Sequence, residues 1–216
     1  MPAAAWAVFV DFDGTISDLD TFDVLVEHFA GRAAWDATQR GLDDGTMSLR
    51  DVLALQASYV RAPYDDVSAF LRGRVRLDPA FAGFAKWCAE RAIPLTVVSS
   101  GIERIIRDRL VDLDLGTLPV VANGIEADPA GWRIVFRDPV PNGTDKAAVV
   151  RAAASAGTRT AFVGDGRSDY AAALAADVRF ARRDFPLAAH LRQRGIAFTP
   201  FDSFADVAAA FATLTV

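Results

Sequence analysis

Trp6-Ala7-Val8-Phe9-Val10-Asp11-Phe12-Asp13-Gly14-Thr15 is the stretch from which the rest of the chain can be read. Five uninterrupted apolar residues that stop at a polar turn have the pattern of a strand buried on both faces. Strands of that kind belong to parallel sheets covered by helices. Shorter runs of the same kind recur at residues 95–98, 160–163 and 178–181. Between them lie helical patterns. Phe81, Phe84, Ala85 and Cys88 fall at the i, i+3, i+4 and i+7 positions of one helical face, and residues 147–156 make another such segment. Alternating strands and helices predict an α/β fold with a Rossmann-like, doubly wound parallel sheet.

One connection breaks the rhythm. More than eighty residues separate Asp11 from the strand at 95, whereas ordinary βα connections take about 2–6. Residues 20–30, 33–43, 47–60 and 64–75 each read as amphipathic helix, punctuated by Gly31, Gly45 and Pro63. The expected organisation is therefore an α/β core from residues 1–16 and 77–216, with 17–76 inserted as a helical-bundle cap. Trp35, Tyr59 and Tyr64 are expected in the core of that bundle. A second irregularity, at residues 120–136, places two β-prone segments around Asn123-Gly124 and Asp128-Pro129-Ala130-Gly131, which predicts a small β-hairpin appended to the sheet.

Composition excludes several classes of function. The 216 residues are 52% hydrophobic and 24% charged, too apolar for a disordered chain and long enough to bury a core. A net charge of −5 gives no basic footprint for nucleic acid. One cysteine, Cys88, allows neither an internal disulfide nor a cysteine-based zinc site and is expected in the core. No run of about 18 apolar residues exists to span a bilayer, and the first apolar stretch, residues 3–10, lacks a basic leader before it meets Asp11. The expectation is a cytoplasmic protein, monomer or homodimer, with no membrane or nucleic-acid partner. His28 and His190 read as helical-face residues, and Arg182-Arg183 as a solvated pair.

Four motifs carry chemistry. Asp11 and Asp13 sit where a parallel strand ends, the edge at which α/β sheets bind ligands, and Gly14 lets the chain turn away. Val163-Gly164-Asp165-Gly166-Arg167-Ser168-Asp169 repeats that geometry, with an acidic glycine-rich loop ahead of a helix. Leu95-Thr96-Val97-Val98-Ser99-Ser100-Gly101 ends a strand in hydroxyls and glycine. Lys146, in Gly143-Thr144-Asp145-Lys146, puts a cation at the unfavourable positive end of a helix dipole. Taken singly these are a turn, an N-cap, a helix start and a surface lysine. Independent turns would not each bring an acid, a hydroxyl or a lysine to one edge.

Jointly the motifs resemble the haloacid-dehalogenase-like (HAD) phosphohydrolases, in which DxDGT, a strand-terminal Ser, a downstream Lys and GDGxxD occur in this order. The insert after the first motif resembles the branch containing phosphoserine phosphatase. Within that branch, Phe180-Ala181-Arg182 and Gly195-Ile196-Ala197-Phe198-Thr199-Pro200-Phe201 resemble the 2-hydroxy-3-keto-5-methylthiopentenyl-1-phosphate phosphatases of methionine salvage. The resemblance implies a phosphomonoesterase for a small phosphate ester, working with Mg²⁺ through an aspartyl-phosphate on Asp11. Asp11, Asp13 and Asp165 would hold the metal and Asp169 would orient that shell. Asp13 would act as acid and base, Ser99 and Lys146 would complete the catalytic set, and Ser100 and Gly101 would bind phosphate oxygens. A phosphomutase or phosphotransferase shares these motifs, and a silent phosphate-binding module would keep the fold. The carboxylate at position 13 argues for phosphate chemistry, because dehalogenases of this superfamily lack it and transport ATPases carry Thr there. Phosphoserine phosphatases place Glu nine positions after the nucleophile, where this chain has Asp20 for a substrate ammonium. They also use a cap Arg for the substrate carboxylate, with which neither Arg50 nor Arg61 is clearly in register; Gln56 lies nearer. A keto-enol phosphate therefore ranks ahead of phosphoserine.

Overall fold

Within β1 (Trp6–Val10), Trp6, Val8 and Val10 enter one apolar cluster and Ala7 and Phe9 another, so the strand is buried on both sides. The computed structural model describes residues 5–214. Residues 1–4 and 215–216, which include the start of the leading apolar stretch and the two ends of the expected core, lie outside the described residues. Around β1 stand β2 (Leu95–Ile102), β3 (Val120–Glu126), β4 (Arg133–Val135), β5 (Arg159–Gly164), β6 (Val178–Arg182) and β7 (Thr199–Phe201), in the order β4-β3-β2-β1-β5-β6-β7. All neighbours pair parallel except β3 and β4, which form the hairpin.

Helices cover both faces. Phe81, Phe84 and Cys88 of α5 (Phe81–Glu90), Ile106 and Leu110 of α6 (Glu103–Val111) and Phe204, Val207 and Phe211 of α10 (Phe204–Leu214) fill one side. Val150 of α7 (Lys146–Ser155), Ala172 and Ala173 of α8 (Tyr170–Ala175) and Leu187 and Leu191 of α9 (Pro186–Gln193) fill the other. Because β1 is flanked by β2 on one side and β5 on the other, the order reverses at its carboxyl end, and a crevice opens there.

The long connection folds as α1 (Thr21–Phe29), α2 (Arg32–Asp43), α3 (Leu49–Tyr59) and α4 (Tyr64–Arg74), with Gly31, Gly45 and Pro63 between helices. Phe22, Leu25, Leu53, Ala57, Val67 and Leu71 make its apolar centre, but Trp132 and Ile134 of the hairpin, Ile102 at the end of β2 and Ile105 of α6 close that centre. The bundle does not bury itself alone. Trp132 donates from its backbone N to Ala57 O at 3.1 Å and from Nε1 to Ala62 O at 2.8 Å. Tyr64 and Ser68 donate to Asp108 Oδ2 of α6 at 2.8 and 3.1 Å.

Two local expectations differ from the structure, and one strand, β7, is not among those expected. Asn123-Gly124 lies inside β3, and the chain reverses after β3 around Asp128–Gly131, where Gly131 N bonds Asp128 O at 2.8 Å. Tyr59 is exposed rather than in the bundle core, because it follows Ala57 by two residues, about 200° around the helix from the buried stripe. Short β7, with Pro200 at its centre, carries no apolar run and shows itself only by pairing with β6. Tyr64 and Cys88 are buried as expected. No helix among the described residues is long and apolar enough to cross a membrane.

Trp132→Ala should lower the free energy of unfolding by about 3–5 kcal/mol, the usual cost of emptying a large core site, read from urea denaturation. A change below about 1 kcal/mol would contradict the shared core.

Candidate active site

Beyond Val10, Asp11 N still donates to Val163 O at 2.9 Å, so the first acid stays anchored to β5. The chain then turns. The Phe12 carbonyl accepts from Thr15 N, Ile16 N and Ser17 N, and Gly14 takes a φ of +73°. A side chain at Gly14 would also collide with the Asp165 carboxylate. Thr15 Oγ1 donates to Asp165 Oδ1 at 3.0 Å, joining the first motif to the loop after β5.

Lys146 stands at the start of α7 with its Nζ 2.7 Å from Asp11 Oδ1 and 2.7 Å from Asp169 Oδ1. All three side chains are buried. Two carboxylates thus offset the positive helix end that makes a lysine unfavourable there. Asp169 stands at the N-cap position of α8 but its side chain does not cap that helix; its Oδ2 accepts from Asp165 N and Gly166 N at 3.0 Å each, folding the acidic loop back on itself. Ser168 Oγ accepts from Lys146 Nζ at 3.2 Å.

Asp13 is held by Thr21, whose N and Oγ1 donate to its Oδ1 at 2.8 and 2.7 Å. Its Oδ2 lies 3.5 Å from Ser99 Oγ. Ser99, Ser100 and Gly101 are part of β2 rather than a loop after it. Gly101 N donates to Ser99 Oγ at 2.9 Å, and any side chain at Gly101 would strike Asp13 Oδ2. Ser100 Oγ is buried without a protein partner. A buried hydroxyl left open beside a cavity suits a ligand oxygen.

Asp11, Asp13, Ser99, Ser100, Gly101, Lys146 and Asp165 all line one cavity of about 540 Å³ between the sheet edge and the helical insert. Asp20 is at its rim as the N-cap of α1, its Oδ1 accepting from Phe22 N and Asp23 N at 2.9 Å each. Arg50 and Arg61 do not line the cavity: Arg50 donates to Asp138 O at 2.9 Å and Arg61 to Ser58 O at 2.6 Å. Gln56 does. At the mouth, Arg167 pairs with Asp43 of α2 at 3.1 Å. His28 stacks on Phe70 and His190 on Tyr170, away from the acids.

The sequence pattern places Arg182 in a solvated pair with Arg183. Only Arg183 behaves so, pairing with Asp202 at 3.0 Å. Arg182 Nη1 donates 2.7 Å to Gly14 O, bracing the turn between the acids and Asp165. The contact joins residues 168 positions apart, so no local pattern could have shown it.

Burial raises the Asp11 carboxyl well above its ordinary range, with Asp169 adding to the rise and Lys146 opposing it. Burial also pushes Asp13, helped by Asp20, and Asp165, helped by Asp169, up to about 7. Burial works against the Lys146 ammonium, but Asp11 and Asp169 outweigh it and raise its pKa. Carboxylate oxygens of Asp11, Asp165 and Asp169 lie within 4.8 Å of one another. Since Asp169 is committed to Lys146 and two amides, Asp11 and Asp165 are the pair with capacity for a hard cation. Their excess negative charge fits one.

A family model for haloacid dehalogenase-like hydrolases matches residues 8–174. Pdp3-interacting factor 1 of Schizosaccharomyces pombe is 34% identical over 93% of this chain and 92% of its own length. Polyol phosphate phosphatase PYP1 of Saccharomyces cerevisiae is 30% identical over 94% and 90%. The 2-hydroxy-3-keto-5-methylthiopentenyl-1-phosphate phosphatase of Brevibacillus brevis is 29% identical over 93% and 92%. A substrate-bound phosphoserine phosphatase superposes with a TM-score of 0.74 at 17% identity, over 96% of this chain and 98% of that one, which is a likeness of fold.

The raised acids have a consequence for stability. With Asp13 and Asp165 near 7 folded against an ordinary 3.8, the folded chain binds their protons more tightly than the unfolded chain. Their stabilising contribution is complete below about pH 4 and is lost as pH rises through about 7. In chelator-treated protein the Tm should fall between pH 5 and pH 7.5, and Asp165→Asn should flatten that slope. An equally steep fall in the variant would contradict the assignment.

Proposed function

The chain belongs to the haloacid dehalogenase-like hydrolases and is a phosphatase, and on that footing we propose that it hydrolyses small phosphate monoesters with Mg²⁺ through a phosphorylated Asp11. The observation that carries the proposal is the trio at the cavity floor: buried Asp11, the Lys146 ammonium 2.7 Å from it, and Asp13 with a carboxyl poised near 7. Asp11, Asp165 and the Asp13 main chain would hold the cation, which when bound would offset the repulsion between a carboxylate and a phosphate dianion.

The chain's own groups perform the rest. Asp11 attacks phosphorus, the bond to the leaving oxygen breaks, and Asp13 gives that oxygen its proton. Thr21 fixes Asp13 Oδ1, so Oδ2 is the oxygen that serves the cleft. Asp13, now ionised, takes a proton from water, whose oxygen attacks the phosphoryl group; inorganic phosphate leaves and Asp11 is restored. Lys146 steadies the charge gathered around Asp11. Ser100 Oγ supplies a hydrogen bond to a phosphate oxygen, which assigns the serine hydroxyl at 100, beside the one at 99, to the substrate. The helical insert over the crevice excludes bulk water.

A keto-enol phosphate such as 2-hydroxy-3-keto-5-methylthiopentenyl-1-phosphate is favoured over phosphoserine. The likeness to the Brevibacillus brevis enzyme supports this, as does the absence of Arg50 and Arg61 from the cavity. Asp20 gives Oδ1 to two amides of α1 and keeps only Oδ2 for a ligand.

Asp11→Asn should abolish release of inorganic phosphate from an aryl phosphate, and so should excess EDTA on the wild type, with Mg²⁺ restoring it. Full activity in either case overturns the proposal. Asp13→Asn should keep the nucleophile and slow turnover of an alkyl phosphate by about 10²–10⁴-fold, and wild-type turnover by this variant would remove Asp13 from acid and base duty.

A further inference from the structure

Across the cavity from the phosphate-side residues stand groups the chemistry above leaves unused: Asp23 of α1, Gln39 of α2 and Gln56 of α3, among the apolar Phe22, Val52 and Leu53. Gln39 Nε2 approaches Asp23 Oδ1 at 3.4 Å. Gln56 is buried and donates Nε2 to Thr38 Oγ1 at 2.6 Å, and the Thr38 hydroxyl is itself tied to the Ala34 and Trp35 carbonyls. That ladder uses one of the two amide hydrogens and leaves Oε1 and the second hydrogen for a ligand. Asp23 and Gln56 therefore both offer acceptors, one of them anionic.

The cations at this cavity are engaged elsewhere. Lys146 lies between Asp11 and Asp169, and Arg167 pairs with Asp43 at the mouth. A carboxylate on the substrate's leaving group can only accept hydrogen bonds. It would meet the like charges of Asp20 and Asp23 beside apolar walls, with neutral amides and hydroxyls but no free cation among the described lining residues, and buried charge without a counter-charge is heavily penalised. A hydroxyl donates to either oxygen, and the carbon chain that bears it packs on Phe22, Val52 and Leu53. We infer, on the footing of the phosphatase reading, that Asp23 and Gln56 select the leaving group, so that the enzyme takes carboxylate-free, hydroxyl-bearing phosphate esters and rejects phosphorylated hydroxy acids. Rejection by a misplaced charge is a means of specificity that needs no additional attractive contact.

Glycerol 1-phosphate and 3-phosphoglycerate test this directly, since they differ only in a terminal CH₂OH against COO⁻. At pH 8, with Asp23 above the value of about 7 to which burial and then Asp20 push it, the wild type with Mg²⁺ should favour the glycerol ester in kcat/KM by at least a hundredfold. Asp23→Asn should narrow the ratio at least tenfold, mainly through a lower KM for the glycerate, and Asp23→Glu should restore it. Gln56→Leu should raise KM for the glycerol ester and leave its kcat within a few-fold. Thermal melting checks that each variant is folded; the wild-type ratio decides the selectivity even where a variant is not. Hydrolysis of an aryl phosphate with no preference for the glycerol ester overturns this inference alone. An unchanged ratio in folded Asp23→Asn removes Asp23 from the selection. Hydrolysis of none of the three esters overturns the phosphatase reading and this inference together.

Discussion

One buried ammonium holds the ends of two strands and a helix together. Lys146 enters from the first turn of α7 and lies 2.7 Å from a carboxylate after β1 and 2.7 Å from another after β5. Neither Asp11 nor Asp169 could be buried charged without it, since the cost of desolvating a lone carboxylate is several kcal/mol. The influence extends outward. Asp169 shapes the loop that presents Asp165, Asp165 receives the Thr15 hydroxyl, and the turn between Asp11 and Thr15 is braced from behind by Arg182. Positions far apart in the chain are fixed by one charge balance.

That balance is deliberately incomplete. One ammonium faces Asp11, Asp13, Asp165 and Asp169, and Asp11, Asp13 and Asp165 hold their protons more tightly than free carboxyls do. A fold selected for stability alone would fill this edge with apolar side chains. Retaining surplus acids in a cleft is the trade of stability for chemistry seen where a site must bind something cationic and pass a proton.

Much of this was legible in the chain. Local period revealed β1, both faces of the sheet and all four helices of the insert, because each depends on neighbours within a turn or two. The acids, Ser99 and Lys146 were legible because each follows a strand or opens a helix at the same edge. What was hidden depends on distant partners. Tyr59 differs from Tyr64 only by which side of its helix meets Trp132 and Asp108. Arg182 looks like any charged pair until the Gly14 carbonyl is beside it. Asn123-Gly124 has the composition of a turn, yet the Asn123 side chain donates to Ser100 O and accepts from Arg137 N inside the sheet. Ser100 and Gln56 could be named from their motif and register, but not which of their atoms the fold leaves unpaired, since that depends on partners distant in the chain.

The Trp132 seat alters what counts as a module in this protein. In sequence the insert looks like a cassette, entering after β1 and leaving before β2. In space its floor is supplied by a hairpin that begins some sixty residues after α3 ends. The unit that could be exchanged with a relative is therefore discontinuous: α1 to α4 must travel with β3, β4 and the face of α6 that receives Tyr64 and Ser68. A chimera spliced at the two apparent junctions would inherit a foreign tryptophan slot, and drift in the insert is tethered to drift in a segment that never touches the cavity.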